Sequence, residues 1–165
     1  MFVALGSNLG NSSEIIRNAI ARLQAFSDRP LLQSSLWQTS PVDCPPGSPI
    51  FVNALVGLFP KAGETPETLL KKLQALEKEF GRKPKQVLNE PRALDLDLIA
   101  YASEIRNSAE LTVPHPRAHQ RRFVLQPLSE FASEATLPGQ SKTIGQLLSE
   151  LKDQENVQKL SPYCH

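Results

Sequence analysis

The sequence predicts an α+β domain whose elements follow the order strand, helix, strand, strand, helix, strand. Apolar residues recur at helical spacing over residues 12–27 and 65–80. Short apolar or alternating runs at 2–5, 31–39, 50–59 and 94–99 have the pattern of strands, and proline and glycine cluster between these segments. This order is that of the ferredoxin-like βαββαβ sandwich. In that fold we expect both helices on one face of an antiparallel sheet, the other face left for loops and ligand, and extra elements at the C-terminal end.

The overall composition indicates one globular domain over residues 1–165. The length suits a core of its own, and the net charge of +1 gives no global electrostatic basis for binding nucleic acid or an anionic membrane. No apolar run reaches transmembrane length, and no secretory leader is visible. Cys44 and Cys164 have no metal or redox spacing. We therefore expect a cytoplasmic monomer with free thiols and a polar tail that frays from about residue 152.

The first half of the chain supplies one helix and three strands. The run at 2–5 is a short buried strand, and Asn11 with Glu14 has the spacing of a capping box that begins the first helix. Gly6 lies in the turn between them, where no standard phosphate-binding glycine motif is present. Asn53 is a polar residue within the apolar run 50–59, so it needs a hydrogen-bond partner. A backbone group, a water molecule or the edge of a flat heterocycle would each satisfy it.

The second half begins with a helix and a basic loop. Thr65 has the position of an N-cap and Pro66 that of the first helical residue. Gly81 is the candidate residue at which this helix ends. Gln74 and Glu77 lie beside the apolar stripe of this helix, where their spacing alone is compatible with plain surface. The loop 82–92 then carries several cations directly before the last predicted strand, and a short helix is predicted over 145–151.

The stretch 94–98 alternates leucine with aspartate. This is the period of a half-buried strand, with the leucines in the core and Asp95 and Asp97 together on the opposite face. Two carboxylates on one face repel each other unless a cation lies between them. Mg²⁺ takes one or two carboxylates plus substrate phosphates, and the neighbouring cationic loop suits a polyphosphate. A solvated outer face is the alternative that this stretch alone leaves open.

His115 and His119 are four residues apart, a spacing that could suit zinc on a helix. Zinc needs a third protein ligand, and no acidic or cysteine partner stands at helical spacing nearby. A histidine that donates to phosphate is the more economical interpretation.

Motifs spread over nearly the whole chain resemble one family. They comprise Ala-Leu-Gly-Ser-Asn-Leu-Gly at 4–10, residues 39–42 and 51–54, Glu77 with 81–82, Pro-Arg-Ala-Leu-Asp-Leu-Asp-Leu at 91–98, and Leu-Thr-Val-Pro-His-Pro-Arg at 111–117 with Arg121, Phe123, Pro127 and Leu128. The blocks at 91–98 and 111–117 are together highly specific. The sequence is similar to the 6-hydroxymethyl-7,8-dihydropterin pyrophosphokinases of folate biosynthesis, whose fold is ferredoxin-like.

The resemblance implies an ATP-dependent diphosphotransferase. It would transfer pyrophosphate from ATP to the hydroxymethyl group of the pterin, through attack of the hydroxyl on the β-phosphorus, and would release AMP. Such transfers depend on positioning and charge neutralisation. The resemblance assigns catalysis to Arg82, Arg92, Asp95 and Asp97, and places two Mg²⁺ ions on the two aspartates. It assigns ATP binding to Gln74, Arg82, Arg92, Leu98, Thr112, His115 and Arg121, and pterin binding to Gly6, Thr39, Val42, Phe51, Asn53 and Phe123.

The sequence departs from the family pattern in the loop before Pro91. Leu88, Asn89 and Glu90 stand where the family usually has arginine, an aromatic residue and glycine. We hypothesise an active enzyme whose loop closes differently. The alternative is a catalytically impaired ferredoxin-like module that binds nucleotide and pterin.

Two other classes fit the sequence less well. A nucleotidyltransferase of the polymerase-β type needs its Gly-Ser turn close to its Asp-x-Asp motif, but Ser7 and Asp95 lie in opposite halves of this chain. An RNA-binding sheet presents exposed aromatic residues, whereas an aspartate pair repels a phosphate backbone.

Overall fold

The structure is a computed structural model, and it describes residues 1–39, 49–81, 93–152 and 157–160. Within these ranges the chain forms, in order, β1 (Phe2–Ser7), α1 (Ser12–Leu23), β2 (Leu32–Gln33), β3 (Trp37–Thr39), β4 (Phe51–Gly57), α2 (Pro66–Glu79), β5 (Asp95–Ala100), β6 (Arg106–Asn107), β7 (Thr112–Val113), α3 (Arg122–Ala132), α4 (Ile144–Glu150) and β8 (Val157–Lys159).

The main sheet is antiparallel and has the order β5-β1-β4-β3-β8, with β2 also paired to β4. The predicted ferredoxin-like order is confirmed. The predicted strand over 31–39 is divided into β2 and β3. Between β2 and β3 the Ser34 hydroxyl accepts a hydrogen bond from the Leu55 N–H of β4 at 2.9 Å. In a regular ladder that N–H would donate to a backbone carbonyl instead.

α1 and α2 begin directly after the N-cap residues that the sequence predicts. The Asn11 side chain accepts from the Glu14 N–H at the start of α1, and a 3₁₀ turn at Gln24–Phe26 extends this helix to the predicted end. Thr65 and Thr68 form a capping box at the start of α2. Gly81 follows α2 with φ +93°, a conformation that glycine adopts without steric cost.

Two hydrophobic clusters lie on opposite faces of the sheet. α1 and α2 cover one face with a core that includes Leu23, Leu73 and Leu98. α3 and α4 pack on the other face, against Leu55 and Ile99 among others. The face that we expected to be left for loops and ligand is therefore helix-covered along part of its length.

Two of the described C-terminal elements, α3 and β8, were not predicted from the sequence. No helix is predicted from the sequence over the residues of α3, which contains Pro127. Proline inside a helix removes a backbone donor. The expected fraying from residue 152 does not hold over 157–159, where β8 pairs with β3 and the Leu160 N–H donates to the Leu36 carbonyl. The short helix predicted over 145–151 is present as α4.

Candidate active site

The strand register brings the predicted acidic and amide groups into one row. Asp95 of β5 pairs with Gly6 of β1, which pairs with Asn53 of β4, which pairs with Trp37 of β3. Directly opposed residues of antiparallel strands share a face of the sheet. The row lies on the face that carries α3 and α4, beyond the strand positions that contribute to their core. These helices therefore cover one end of the face, and the row occupies the other.

The alternation in β5 is confirmed. Leu94, Leu96 and Leu98 are at most 5% exposed and belong to the core under α1 and α2. Asp95 and Asp97 are half-buried on the opposite face, two residues apart along one strand. The sequence period thus places both carboxylates on the same side of the sheet.

The prediction that Gly6 lies in the turn after the first strand is wrong, because Gly6 is within β1 and pairs with both neighbouring strands. At this position its lack of a side chain leaves space at the centre of the row. A Cβ atom on this residue would lie 3.3 Å from Asn53 Oδ1 and 4.0 Å from Phe51 Cδ1. The shorter distance is tighter than ordinary van der Waals contact, so Asn53 would have to move. Glycine therefore leaves room for the asparagine amide and for a flat group above it.

Asn53 has a side-chain partner. Its Nδ2 donates to Thr39 Oγ1 at 2.8 Å, and the two residues are only 7% and 6% exposed. The partner is thus a hydroxyl of the next strand rather than the backbone group or water considered from the sequence. Because Nδ2 is bonded to Thr39, the amide orientation is fixed, with Oδ1 near Gly6.

His115 is held in a defined orientation beside β5. Its backbone N–H donates to the Ile99 carbonyl at 2.8 Å, and its Nδ1 accepts the Arg117 N–H at 3.2 Å. Burial lowers the pKa of His115, the Arg121 and Arg117 charges lower it further, and Asp95 opposes them. The balance of these effects favours the neutral ring. With Nδ1 accepting, its proton lies on Nε2, which is a donor.

Arg121 and Phe123 pair where α3 begins. The Arg121 guanidinium carbon lies 5.3 Å from the centroid of the Phe123 ring, within the range of a cation–π contact. Phe123 is half-buried and packs against the core under α3. The contact restrains both side chains. The family resemblance assigned Arg121 to ATP and Phe123 to the pterin.

The chemistry of the donor set fits Mg²⁺. Two carboxylates face the same side of β5, and Mg²⁺ takes few protein carboxylates and completes its shell with phosphate oxygens and water. Within the described ranges, no group of three or more histidine, cysteine, aspartate or glutamate side chains could hold a metal ion. The aspartate pair is thus suited to a cation shared with a bound polyphosphate.

Several predicted site residues lie apart from the row or outside the described ranges. Gln74 is exposed on α2, and Thr112 is exposed on β7. The Leu98 side chain is in the core on the opposite face of β5, so only its backbone can serve a ligand. The predictions that fall outside the described residues concern Val42, Arg82, Arg92 and the departures at 88–90.

Glu77 is a site neighbour whose place was not predicted. Its Oε2 accepts the Leu96 N–H at 2.9 Å, and the residue is 9% exposed. The bond joins α2 to the backbone between Asp95 and Asp97. A signal was present in the sequence, because Glu77 follows Leu73 by four residues and so falls on the buried stripe of the helix.

Comparison with known proteins identifies the family. The family model described as 7,8-dihydro-6-hydroxymethylpterin-pyrophosphokinase (HPPK) matches residues 2–133. The chain belongs to this family. The family indicated by the sequence motifs is confirmed, and so is the enzyme class, a pyrophosphokinase of folate synthesis.

Similar proteins include both single enzymes and longer chains. The 2-amino-4-hydroxy-6-hydroxymethyldihydropteridine pyrophosphokinase of Haemophilus influenzae is 35% identical, with 98% of each chain covered. The folic acid synthesis protein fol1 of Pneumocystis carinii is 33% identical over the whole of this chain, which spans 22% of the fungal protein. The HPPK family domain thus occurs alone in one relative and as part of a longer protein in another.

Solved structures show the same fold. A crystal structure of HPPK-DHPS in complex with substrates matches with a TM-score of 0.67 at 10% identity, and one of Plasmodium falciparum HPPK-DHPS matches with 0.66 at 12% identity. Each match covers 90% of this chain and 42% of the other.

None of the helices in the described part of the chain has the length and apolar character of a membrane span.

Proposed function

We propose that this chain transfers pyrophosphate from ATP to the hydroxymethyl group of 6-hydroxymethyl-7,8-dihydropterin and releases AMP. The observation that carries the proposal is the row of Asp95, Gly6 and Asn53 on three adjacent strands. A carboxylate for the metal–phosphate end and an amide for a flat heterocycle lie on one face, with a glycine between them. That arrangement suits a reaction in which a pterin hydroxyl meets a polyphosphate.

Asp95 and Asp97 would hold the Mg²⁺, and we propose two ions. When bound, the metal neutralises phosphate charge and lowers the pKa of the attacking hydroxyl. The protein's own part is to fix the two carboxylates. β1 holds one side of β5, and Glu77 bonds the Leu96 N–H on the other side.

The phosphates of ATP would lie beside His115 and Arg121. The neutral His115 ring presents its Nε2–H as a donor, and the Arg121 guanidinium supplies positive charge. We assign further positive charge around the transferred group to Arg82 and Arg92. Gln74, Thr112 and the backbone of Leu98 are proposed to contact the nucleotide.

The pterin would bind over Gly6. Asn53 Oδ1 would accept from an N–H of the pterin edge while Nδ2 stays bonded to Thr39. Phe51 and Phe123 are proposed as the aromatic faces, and Val42 completes the assigned pocket. Fixing the amide before the ligand arrives lowers the ordering cost of binding.

The biological setting is part of the same proposal. We take residues 1–165 as one domain that acts as a cytoplasmic monomer. Its partners are the two substrates, with no role for nucleic acid or a membrane.

An assay of AMP production tests the proposal. With Mg²⁺, ATP and the dihydropterin, the parent protein should form AMP only when the pterin is present. Asp95→Asn and Asp97→Asn keep the side-chain shape but remove metal-binding charge, so we expect each to lower kcat by at least about 100-fold. Glu150→Gln is the matched control and should be fully active, because it alters only a surface ion pair between the last residue of α4 and Lys142.

Product identity separates the proposal from its competitors. Release of pyrophosphate instead of AMP would indicate nucleotidyl transfer. Absence of AMP from a folded parent that binds both substrates would favour the impaired binding module. Full activity in both aspartate variants would refute the assigned metal site.

A further inference from the structure

The side chain of Glu130 ties α3 to the strand that carries the pterin-side groups. One carboxylate oxygen accepts the Ser35 N–H at 3.0 Å and the Trp37 indole N–H at 2.7 Å, and the other accepts the Ser35 hydroxyl at 2.9 Å. Lys159 Nζ of β8 lies 3.7 Å from the second oxygen. A single side chain therefore binds three donors at the start of β3 and a cation on the adjacent strand.

These contacts are placed to act on the proposed pterin site. Trp37 is paired directly with Asn53, and two residues later Thr39 holds the Asn53 amide through its hydroxyl. β3 is only three residues long and pairs with β4 and with β8, which is equally short, so few ladder bonds hold it. Hydrogen bonds to a charged acceptor are stronger than neutral ones and add a restraint that the short strand lacks.

We propose that Glu130 is a positioning residue for the pterin substrate. By fixing Ser35 and Trp37, it holds β3 in the register that presents Thr39 to Asn53. It does not touch the substrate itself. This inference rests on the proposed function, since it assumes that Asn53 binds the pterin.

The placement predicts selectivity between the two substrates. The proposed nucleotide groups are Gln74, Arg82, Arg92, Leu98, Thr112, His115 and Arg121. Within the described part of the chain, none of them contacts Glu130, whose partners are Ser35 just before β3, Trp37 on β3 and Lys159 on β8. Loss of these contacts should therefore weaken pterin binding and leave nucleotide binding unchanged. A purely structural role would instead lower affinity for both ligands together as the folded fraction falls.

The test is calorimetric binding to Glu130→Ala, Glu130→Gln and the parent. The pterin Kd is measured with Mg²⁺ and α,β-methylene-ATP, whose α,β bridge resists transfer, and the analogue Kd is measured without pterin. For Glu130→Ala we expect the pterin Kd to rise about tenfold, equivalent to about 1.4 kcal/mol, with the analogue Kd within about twofold of the parent. Glu130→Gln keeps acceptor oxygen and should recover part of the loss. Glu150→Ala, which removes a carboxylate from a single surface ion pair, should match the parent in both constants.

Fluorescence gives a readout that is independent of the substrates. Trp37 is the only tryptophan in the chain, so its emission reports directly on the bond to Glu130. We expect the emission maximum to shift in Glu130→Ala and to stay unchanged in Glu150→Ala.

The outcomes separate this inference from the proposed function. A parent that binds no pterin would overturn the proposed function and this inference with it. A parent that binds pterin, with Glu130→Ala unchanged or equally weakened toward both ligands, would overturn the positioning role alone. If Glu130→Ala does not fold, Ser35→Ala removes only the hydroxyl bond and should still raise the pterin Kd selectively, and an unchanged value there would refute the role.

Discussion

Replacing Thr39 with valine removes the acceptor that holds the Asn53 amide and keeps the β-branched shape of the side chain. Asn53 Nδ2 then loses its 2.8 Å bond in a place where both residues are more than nine-tenths buried. An unsatisfied buried donor costs about 1–3 kcal/mol. The added methyl group recovers about 0.8 kcal/mol through burial. We therefore expect a net loss of about 1 kcal/mol in the free energy of unfolding, and a Tm lower by about 2–4 °C.

A double-mutant cycle with Asn53→Ala isolates the bond itself. Each single change leaves one buried group unpaired, whereas the double change removes both, so the losses should fall short of additive by about 1–3 kcal/mol. Urea unfolding of the four proteins measures this coupling. Additivity within about 0.5 kcal/mol would refute the bond as a stabilising contact.

Binding provides the second part of the same test. We expect Thr39→Val to raise the pterin Kd about tenfold, because the amide is no longer held with Oδ1 toward the ligand. Thr39→Ser keeps the hydroxyl and should restore the parent Kd. Equal affinities for the valine and serine variants would show that the Thr39 hydroxyl does not orient Asn53.

Two further predictions concern Gly6 and His115. Gly6→Ala places a Cβ 3.3 Å from Asn53 Oδ1 and should abolish measurable pterin binding; Gly57→Ala, equally crowded at 3.2 Å from Leu32 but far along the sheet, should bind normally, and calorimetry on both decides. The pKa of His115 should lie below its ordinary value near 6.5 when followed by NMR, rising in Arg121→Ala and falling in Asp95→Asn. Because the folded-state pKa is lowered, the stability contributed by neutral His115 is present above the ordinary value and lost as pH falls through the folded-state pKa. A His115 pKa at or above its ordinary value would contradict the described surroundings.

Local periodicity predicted the elements that present the site. The alternation of leucine and aspartate over 94–98 requires only that one face of a strand be buried, and the structure places Leu96 in the core and Asp95 on the other face. The caps of α1 and α2 are equally local, since their partners lie three residues apart. Such features depend on a few neighbouring residues, so the sequence predicts them without knowledge of the fold.

Contacts between distant segments could not be predicted in the same way. The bond from Asn53 to Thr39 depends on the register of two strands, and the bond from Trp37 to Glu130 joins residues 93 positions apart. The helix that carries Glu130 was not predicted, and it contains Pro127, a residue type that is disfavoured inside helices. β8 is a polar three-residue strand with no hydrophobic period, and its place follows from pairing with β3. In each case the partner is selected by tertiary packing.

We expect the bond from Glu77 to Leu96 to limit self-association as well. Among the strands that the structure describes, β5 is the outermost on its side of the sheet, and an outermost strand offers N–H groups to any extended chain that approaches. At Leu96 that donor is already occupied by a carboxylate from α2. A foreign strand could pair there only by displacing a buried charged side chain. Glu77 bonds the backbone between Asp95 and Asp97, and the same bond disfavours intermolecular strand pairing at this edge.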